Sequence, residues 1–154
     1  MSLPPLPESN AFSVVAKYAA ELIHLHRLAG WRFAWNRRKT CMGLCRYERQ
    51  TIELSAYFVA RNSLDEIRDT ILHEIAHALV GPTHGHDEVW MARCQEVGAV
   101  PRRCGSANMP AGAWQAMCPG CTKKYSRHRR PARGKYFCRP CGPENGALTF
   151  QTGR

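Results

Sequence analysis

The sequence predicts an α+β fold in two parts: a core of helices around a small antiparallel sheet, then a small module folded around cysteines. Three observations carry that expectation. Apolar residues recur at three-to-four spacing in two separate stretches, short β-branched and aromatic stretches lie between them, and the last quarter carries two C-x2-C pairs in a segment poor in apolar residues. A chain of 154 residues, 44% hydrophobic and 22% charged, has room for one ordinary domain and a small appendage. It excludes a large multidomain machine and wholesale disorder.

Taken in order, residues 1–9 are Pro-rich and read as a disordered tail. Ser9 or Asn10 then caps a helix carrying Phe12, Val15, Ala19, Leu22, Ile23 and His26, which Gly30 ends. Residues 31–35, 42–47 and 51–55 are rich in Trp, Phe, Tyr, Thr and Ile, and with a turn at 48–50 they read as the antiparallel sheet. Ser63 and Glu66 form a capping box opening a second long helix through Ile67, Ile71, Leu72, Ile75 and Leu79, stopped by Gly81-Pro82. A shorter helix runs from about Asp87 to Val97 and closes at Gly98. The expected divisions are a core over 10–100, a linker over 101–113 and a cysteine module over 114–154.

The formal charge of +10 is uneven: residues 1–117 hold thirteen basic and eleven acidic side chains, residues 118–154 nine and one. A polyanionic partner is expected for the basic end. No signal-peptide pattern and no long apolar run occurs, so neither secretion nor membrane insertion is expected. Eight cysteines then suit a reducing, cytoplasmic setting, where thiols serve metals more often than disulfides; a monomer is favoured.

The second long helix carries His73-Glu74-Ile75-Ala76-His77. Residues four apart differ by about 40° in azimuth, so both imidazoles leave one face and can share one zinc ion, while Glu74 is turned by about 100°. The implied chemistry is hydrolysis, with the ion acidifying water and Glu74 taking its proton and returning it to the leaving amine. The helix is otherwise apolar on both sides, so a polar trio there requires a purpose. A catalytic zinc takes three protein ligands, and candidates for the third are His84, His86, Asp87 and Glu88. The extended metzincin pattern fails, because it needs Gly and His where this chain has Val80 and Thr83.

Cys118, Cys121, Cys138 and Cys141 form two knuckles at zinc-ribbon spacing, a closed structural site in which a hairpin between the pairs carries one to the other. The stretch between them holds Lys123, Lys124, Tyr125, Arg127, Arg129, Arg130, Arg133 and Lys135, cations interleaved with rings, as single-stranded or distorted nucleic acid requires. Cys41 and Cys45 would lie about 13 Å apart in extended chain, too far to grip one ion. With Cys94 and Cys104 they read as small apolar residues, and His24 and His26 as core-edge residues. His128 lies within the basic stretch.

Residues 73–90 resemble the SprT-like (Spartan) metalloproteases, whose H-E-x-x-H helix is followed by a third histidine four residues ahead of an aromatic. Here that histidine is His86, ahead of Trp90, whereas the family's His-Gly dipeptide matches His84-Gly85, so His84 stands as the alternative third ligand. Residues 41–55 are similar to the family's strand pair, and such proteins commonly carry a C-terminal ribbon. The resemblance, over roughly residues 10–150, implies a zincin-like metalloprotease core with one catalytic and one structural zinc. Its implied partners are DNA and proteins bound or crosslinked to DNA, with the ribbon as anchor. The competing reading is a non-catalytic zinc-containing DNA-binding or scaffold protein, which a fourth protein ligand such as His84 beside His86 would favour. A metal-dependent nuclease is weaker, since no carboxylate cluster is evident.

Overall fold

The computed structural model describes residues 3–102 and 107–152, so Cys104 and part of the expected linker lie outside the described residues. The chain divides into two compact units, Met1–Met109 and Pro110–Arg154.

The first unit opens with α1 (Phe12–Leu25), which buries Val15, Tyr18, Ala19, Leu22 and Ile23 along one face. Neither expected cap acts as one. The N-cap is Ala11, while Ser9 Oγ accepts a 3.4 Å bond from the Ala11 N–H and Asn10 Nδ2 donates to the Val59 carbonyl at 3.3 Å. The helix also stops before Gly30. Arg27 takes the left-handed conformation (φ 56°) and the Leu28 N–H reaches back to the Ile23 carbonyl, so Gly30 (φ 80°) instead makes a second reversal into the sheet.

Three strands follow: β1 (Arg32–Asn36), β2 (Gly43–Arg46) and β3 (Thr51–Ser55). They lie in the order β1-β3-β2, with β2 antiparallel and β1 parallel to β3, so the sheet is mixed where an antiparallel one was expected. The reason lies in β3, which buries Thr51, Ile52, Leu54 and Ser55. A strand buried on both faces belongs at the centre, and there it separates β1 from β2. Trp35 of β1 and Gly43 of β2 both stand opposite Leu54. The β2–β3 connection is a 3-10 turn at Tyr47–Arg49, with Gln50 left-handed (φ 45°).

A short helix absent from the sequence expectation, α2 (Ala56–Val59), buries Phe58 and Val59 and leads into α3 (Leu64–Val80). The capping box that opens α3 has both its bonds: Ser63 Oγ accepts from the Glu66 N–H at 3.3 Å, and Glu66 Oε2 accepts from the Ser63 N–H at 3.1 Å. Ile67, Ile71, Leu72, Ile75 and Ala76 of α3 join the buried cluster, and α4 (Glu88–Val97) adds Trp90, Cys94 and Val97. Within the expected linker, Ala107 and Met109 pack against this same cluster.

The second unit carries β4 (Trp114–Met117), β5 (Lys124–Arg127), β6 (Tyr136–Phe137), α5 (Gly142–Asn145), β7 (Ala147–Leu148) and β8 (Gln151–Thr152). One sheet has the order β5-β4-β8 and the other pairs β6 with β7. The expected hairpin between the knuckles is therefore absent. Each knuckle instead closes its own ribbon, the first joining β4 to β5 and the second joining β6, through α5, to β7.

Candidate metal centre

The geometry of α3 places His73 and His77 one turn apart, their ring centroids separated by 5.0 Å. Gly81 (φ 89°) ends the helix, donating its N–H to the His77 carbonyl at 3.0 Å, and the chain turns back. His86 arrives from that return, its Nε2 3.2 Å from His73 Nε2 and 3.2 Å from His77 Nε2. A tetrahedral zinc with Zn–N near 2.05 Å sets its nitrogens about 3.3 Å apart, so His86 already stands at that spacing from each of the other two, and the three donor atoms all lie within 4.8 Å of one another. Beneath them lies Trp90, only 1% exposed, with its ring 4.7, 5.2 and 4.5 Å from the rings of His73, His77 and His86.

His84, the alternative third donor, points elsewhere. Its Nδ1 meets Asp87 Oδ2 at 2.8 Å, while Asp87 Oδ1 accepts the Trp90 N–H at 3.0 Å and caps α4. Asp87 thus fixes both the direction of His84 and the start of the helix that carries Trp90. Glu88, also a candidate, is exposed in the first turn of α4.

Burial, then the neighbouring imidazoles His77 and His86, hold the His73 pKa down at about 3; burial, then His86, holds His77 at about 4. Both rings are therefore neutral at physiological pH, the state in which imidazole ligates a metal. Glu74 is 7% exposed, and burial pushes its carboxyl up to about 8 against the opposing pull of a hydrogen bond from the Cys45 backbone N–H. The residue is thus a desolvated carboxyl rather than an ordinary surface anion.

Three contributors were missed in the sequence. Gly43 lets β2 lie directly on Glu74, Cys45 supplies the N–H that meets its carboxylate, and Tyr47 donates its hydroxyl to the carbonyls of His77 (3.0 Å) and Gly81 (3.2 Å). A glycine inside a strand pattern is the signal that could have found the first, since it marks close approach of another group. An open cleft of about 610 Å³ lies over the site, lined by His73, Glu74, His77, Cys45, Tyr47 and Met42 among others. Cys41 and Cys45, half-buried rather than fully buried, line it too, and burial raises both thiols.

In the second unit, the sulfurs of Cys118, Cys121, Cys138 and Cys141 all lie within 4.8 Å of one another, with Cys121 Sγ and Cys138 Sγ 3.6 Å apart. Four thiolates on zinc at about 2.3 Å stand about 3.8 Å apart, so this cluster too fits the ion. The Tyr125 hydroxyl donates to Cys138 Sγ at 3.1 Å, and that bond leads the pull of the Cys138 thiol down to about 6. Tyr125 is thereby committed to the cluster. Arg127 is also engaged, its guanidinium lying over Tyr136 (4.7 Å) and Phe150 (5.4 Å), and Arg130 lies over Trp114 at 5.7 Å. Lys123, Lys124, Arg129, Arg133 and Lys135 are exposed. Phe137, at the end of the same stretch, is 48% exposed.

Comparison with known proteins matches residues 11–110 to the model of the SprT-like family and residues 113–148 to that of the SprT-like zinc ribbon domain. The protein SprT of Klebsiella pneumoniae subsp. pneumoniae is 25% identical over 159 aligned positions, covering 92% of this chain and 96% of the relative. No helix among the described residues is long and apolar enough to cross a membrane.

Proposed function

The chain belongs to the SprT-like family and carries that family's zinc ribbon, and from that premise we propose that it is a zinc metallopeptidase acting on proteins bound or crosslinked to DNA. The observation that carries the peptidase reading is the convergence of three Nε2 atoms, His86 within 3.2 Å of both His73 and His77, beside the buried carboxyl of Glu74. His73, His77 and His86 would hold the catalytic ion, and the four ribbon cysteines a second, structural one. Bound at the histidines, zinc supplies a Lewis acid that acidifies water, polarises a peptide carbonyl and draws the adjacent carboxyl towards its ionised form.

The chain's own residues supply the rest. Glu74 takes the proton of the attacking water and delivers it to the departing amine, held by the Cys45 N–H and packed against Gly43 of the same strand, β2. Tyr47 ties the carbonyls at the end of α3, so the turn that carries His77 is fixed before metal arrives. Because His84 is engaged by Asp87, the trio has no fourth protein donor among the described residues, which favours catalysis over the scaffold reading. The basic ribbon would anchor the enzyme on single-stranded or distorted DNA through exposed cations such as Lys124, Arg129 and Arg133.

The test is metal content together with proteolysis. Wild type should carry two zinc equivalents, His86→Ala one, and His84→Ala two. Self-cleavage and cleavage of a DNA-bound protein, stimulated by single-stranded DNA, should vanish in Glu74→Gln with zinc retained. Equal activity of wild type and Glu74→Gln would sink the peptidase reading.

A further inference from the structure

Resting on the DNA-anchoring reading above, we propose that the loop between β1 and β2, with Arg61 beside it, is a second phosphate-binding surface. The metal-bearing unit itself carries it, at the rim of the cleft, and it takes a single strand of nucleic acid. Arg37, Arg38 and Lys39 are consecutive and exposed, and Arg61 is exposed as well. Among the described residues none of the four enters an ion pair. The carboxylate of Glu53 at the base of the loop is already taken, by Arg46 at 3.3 Å and Asn36 at 3.2 Å.

The loop is a frame rather than a loose tail. Asn36 Oδ1 accepts the Arg38 N–H at 2.9 Å, and the Arg38 carbonyl accepts the Ser55 hydroxyl at 2.6 Å. Lys39 and Arg61 both sit over the ring of Tyr57, at 5.3 and 5.7 Å, which gathers two cations from distant parts of the sequence at one point. Cations held in place lose less freedom when they meet an anion than cations on a disordered segment. From Lys39 the chain continues straight into Thr40, Cys41, Met42 and Gly43, all of which line the cleft.

Three adjacent unpaired cations fit a polymer whose charge repeats at every unit, such as a phosphate backbone, and need no particular sequence. An acidic peptide would have to bring several carboxylates into register. A metal-bearing unit that grips the strand itself keeps its cleft beside the polymer independently of the ribbon's grip.

The experiment uses the full chain and a fluorescent oligothymidylate, with anisotropy titrations between about 50 and 200 mM salt. For the triple variant Arg37→Ala, Arg38→Ala, Lys39→Ala we expect affinity to fall on the order of tenfold. The slope of log K against log salt should become shallower by about 2, as loss of three single-strand phosphate contacts requires. Near-UV circular dichroism and zinc content should match wild type, and Arg37→Lys with Arg38→Lys should restore binding. A ribbon variant, Arg129→Ala with Arg133→Ala, should lose affinity separately. If the triple variant binds as wild type while the ribbon variant does not, the loop proposal is overturned and DNA anchoring stands. If wild type itself does not bind the oligonucleotide, both fall. Loss of affinity for an acidic peptide with oligonucleotide binding intact would make the loop a substrate-peptide contact and overturn the proposal.

Discussion

Gly43 lies against Glu74 so closely that a β-carbon on Gly43 would stand 2.8 Å from Oε1 and 2.9 Å from Cγ of the glutamate. The same carboxyl takes the N–H of Cys45, two residues along β2, so one short strand both presses on and hydrogen-bonds the proposed general base. Gly43→Ala therefore forces either β2 or the carboxylate to move. Cleavage of a peptide substrate is expected to fall on the order of a hundredfold, as misplacement of a reacting group by about 1 Å does. His73, His77 and His86 are untouched, so the variant should still carry two zinc equivalents. Full activity in Gly43→Ala would mean that Glu74 tolerates displacement and is not the base.

The elevated Glu74 pKa gives the metal-free protein a pH signature. In the folded chain the carboxyl stays protonated up to about 8, whereas the unfolded value is near 4.5. Below pH 4.5 both states hold the proton; as pH climbs towards 8 only the unfolded chain releases it, and stability falls. His73 and His77, depressed to about 3 and 4 from 6.5, act in the opposite sense and withdraw stability as pH drops below 6.5. Glu74→Gln removes only the first effect. In chelator-treated protein it should melt higher than wild type at pH 8, by about 3 °C or more, and the gap should close by pH 4.5. Thermal melts across that range check it, and a constant gap would show that Glu74 does not titrate as its burial implies.

Tyr47 reaches the carbonyls of His77 and Gly81 from the turn that joins β2 to β3, while its ring and that of Trp31 meet in a T-shaped pair with centroids 6.1 Å apart. Tyr47→Phe keeps the ring and removes both bonds. Zinc affinity at the histidine site, measured by chelator competition, should weaken about 10- to 100-fold, the range for groups that orient metal ligands. Activity at saturating zinc should recover most of its wild-type value. If instead affinity is unchanged and activity alone is lost, Tyr47 acts on substrate rather than on the helix end.

Local chemistry explains which parts were legible in the sequence. The Ser63–Glu66 capping box, the i, i+4 histidines and the C-x2-C knuckles each depend on residues a few positions apart, so spacing alone carries them. The parallel pairing of β1 with β3 and the β2 strand lying on Glu74 depend on which distant segments meet, and no local pattern encodes that. The distance to Trp90 favours His86 over His84, but the directions of the two side chains stay hidden for the same reason. Their directions follow from Asp87, which caps α4 and takes His84 Nδ1, and a cap is visible only once the helix that it opens is in place. In the ribbon, spacing identified the four thiols but not the two separate hairpins that present them.

Chelation should separate the two units. The first buries a contiguous apolar cluster from α1, β3, α3 and α4, with Val15, Leu22, Ile52, Leu54, Ile71 and Ile75 fully enclosed. In the second, the buried hydrophobic residues among the described ones are Ala116, Cys118 and Cys138, two of them members of the thiol cluster itself. Without an ion, four sulfurs within 4.8 Å lose the attraction that offsets their mutual repulsion once ionised, and too little apolar area remains to hold β4, β5 and β8 together. Treatment with a strong zinc chelator should therefore collapse the backbone amide dispersion of residues 114–152 in a two-dimensional NMR spectrum while leaving that of α1, α3 and β3 in place. Cys138→Ser with Cys141→Ser should give the same pattern without chelator. Persistence of dispersed ribbon signals in both would mean that the module folds without its metal, and the structural role assigned to the four cysteines would have to be abandoned.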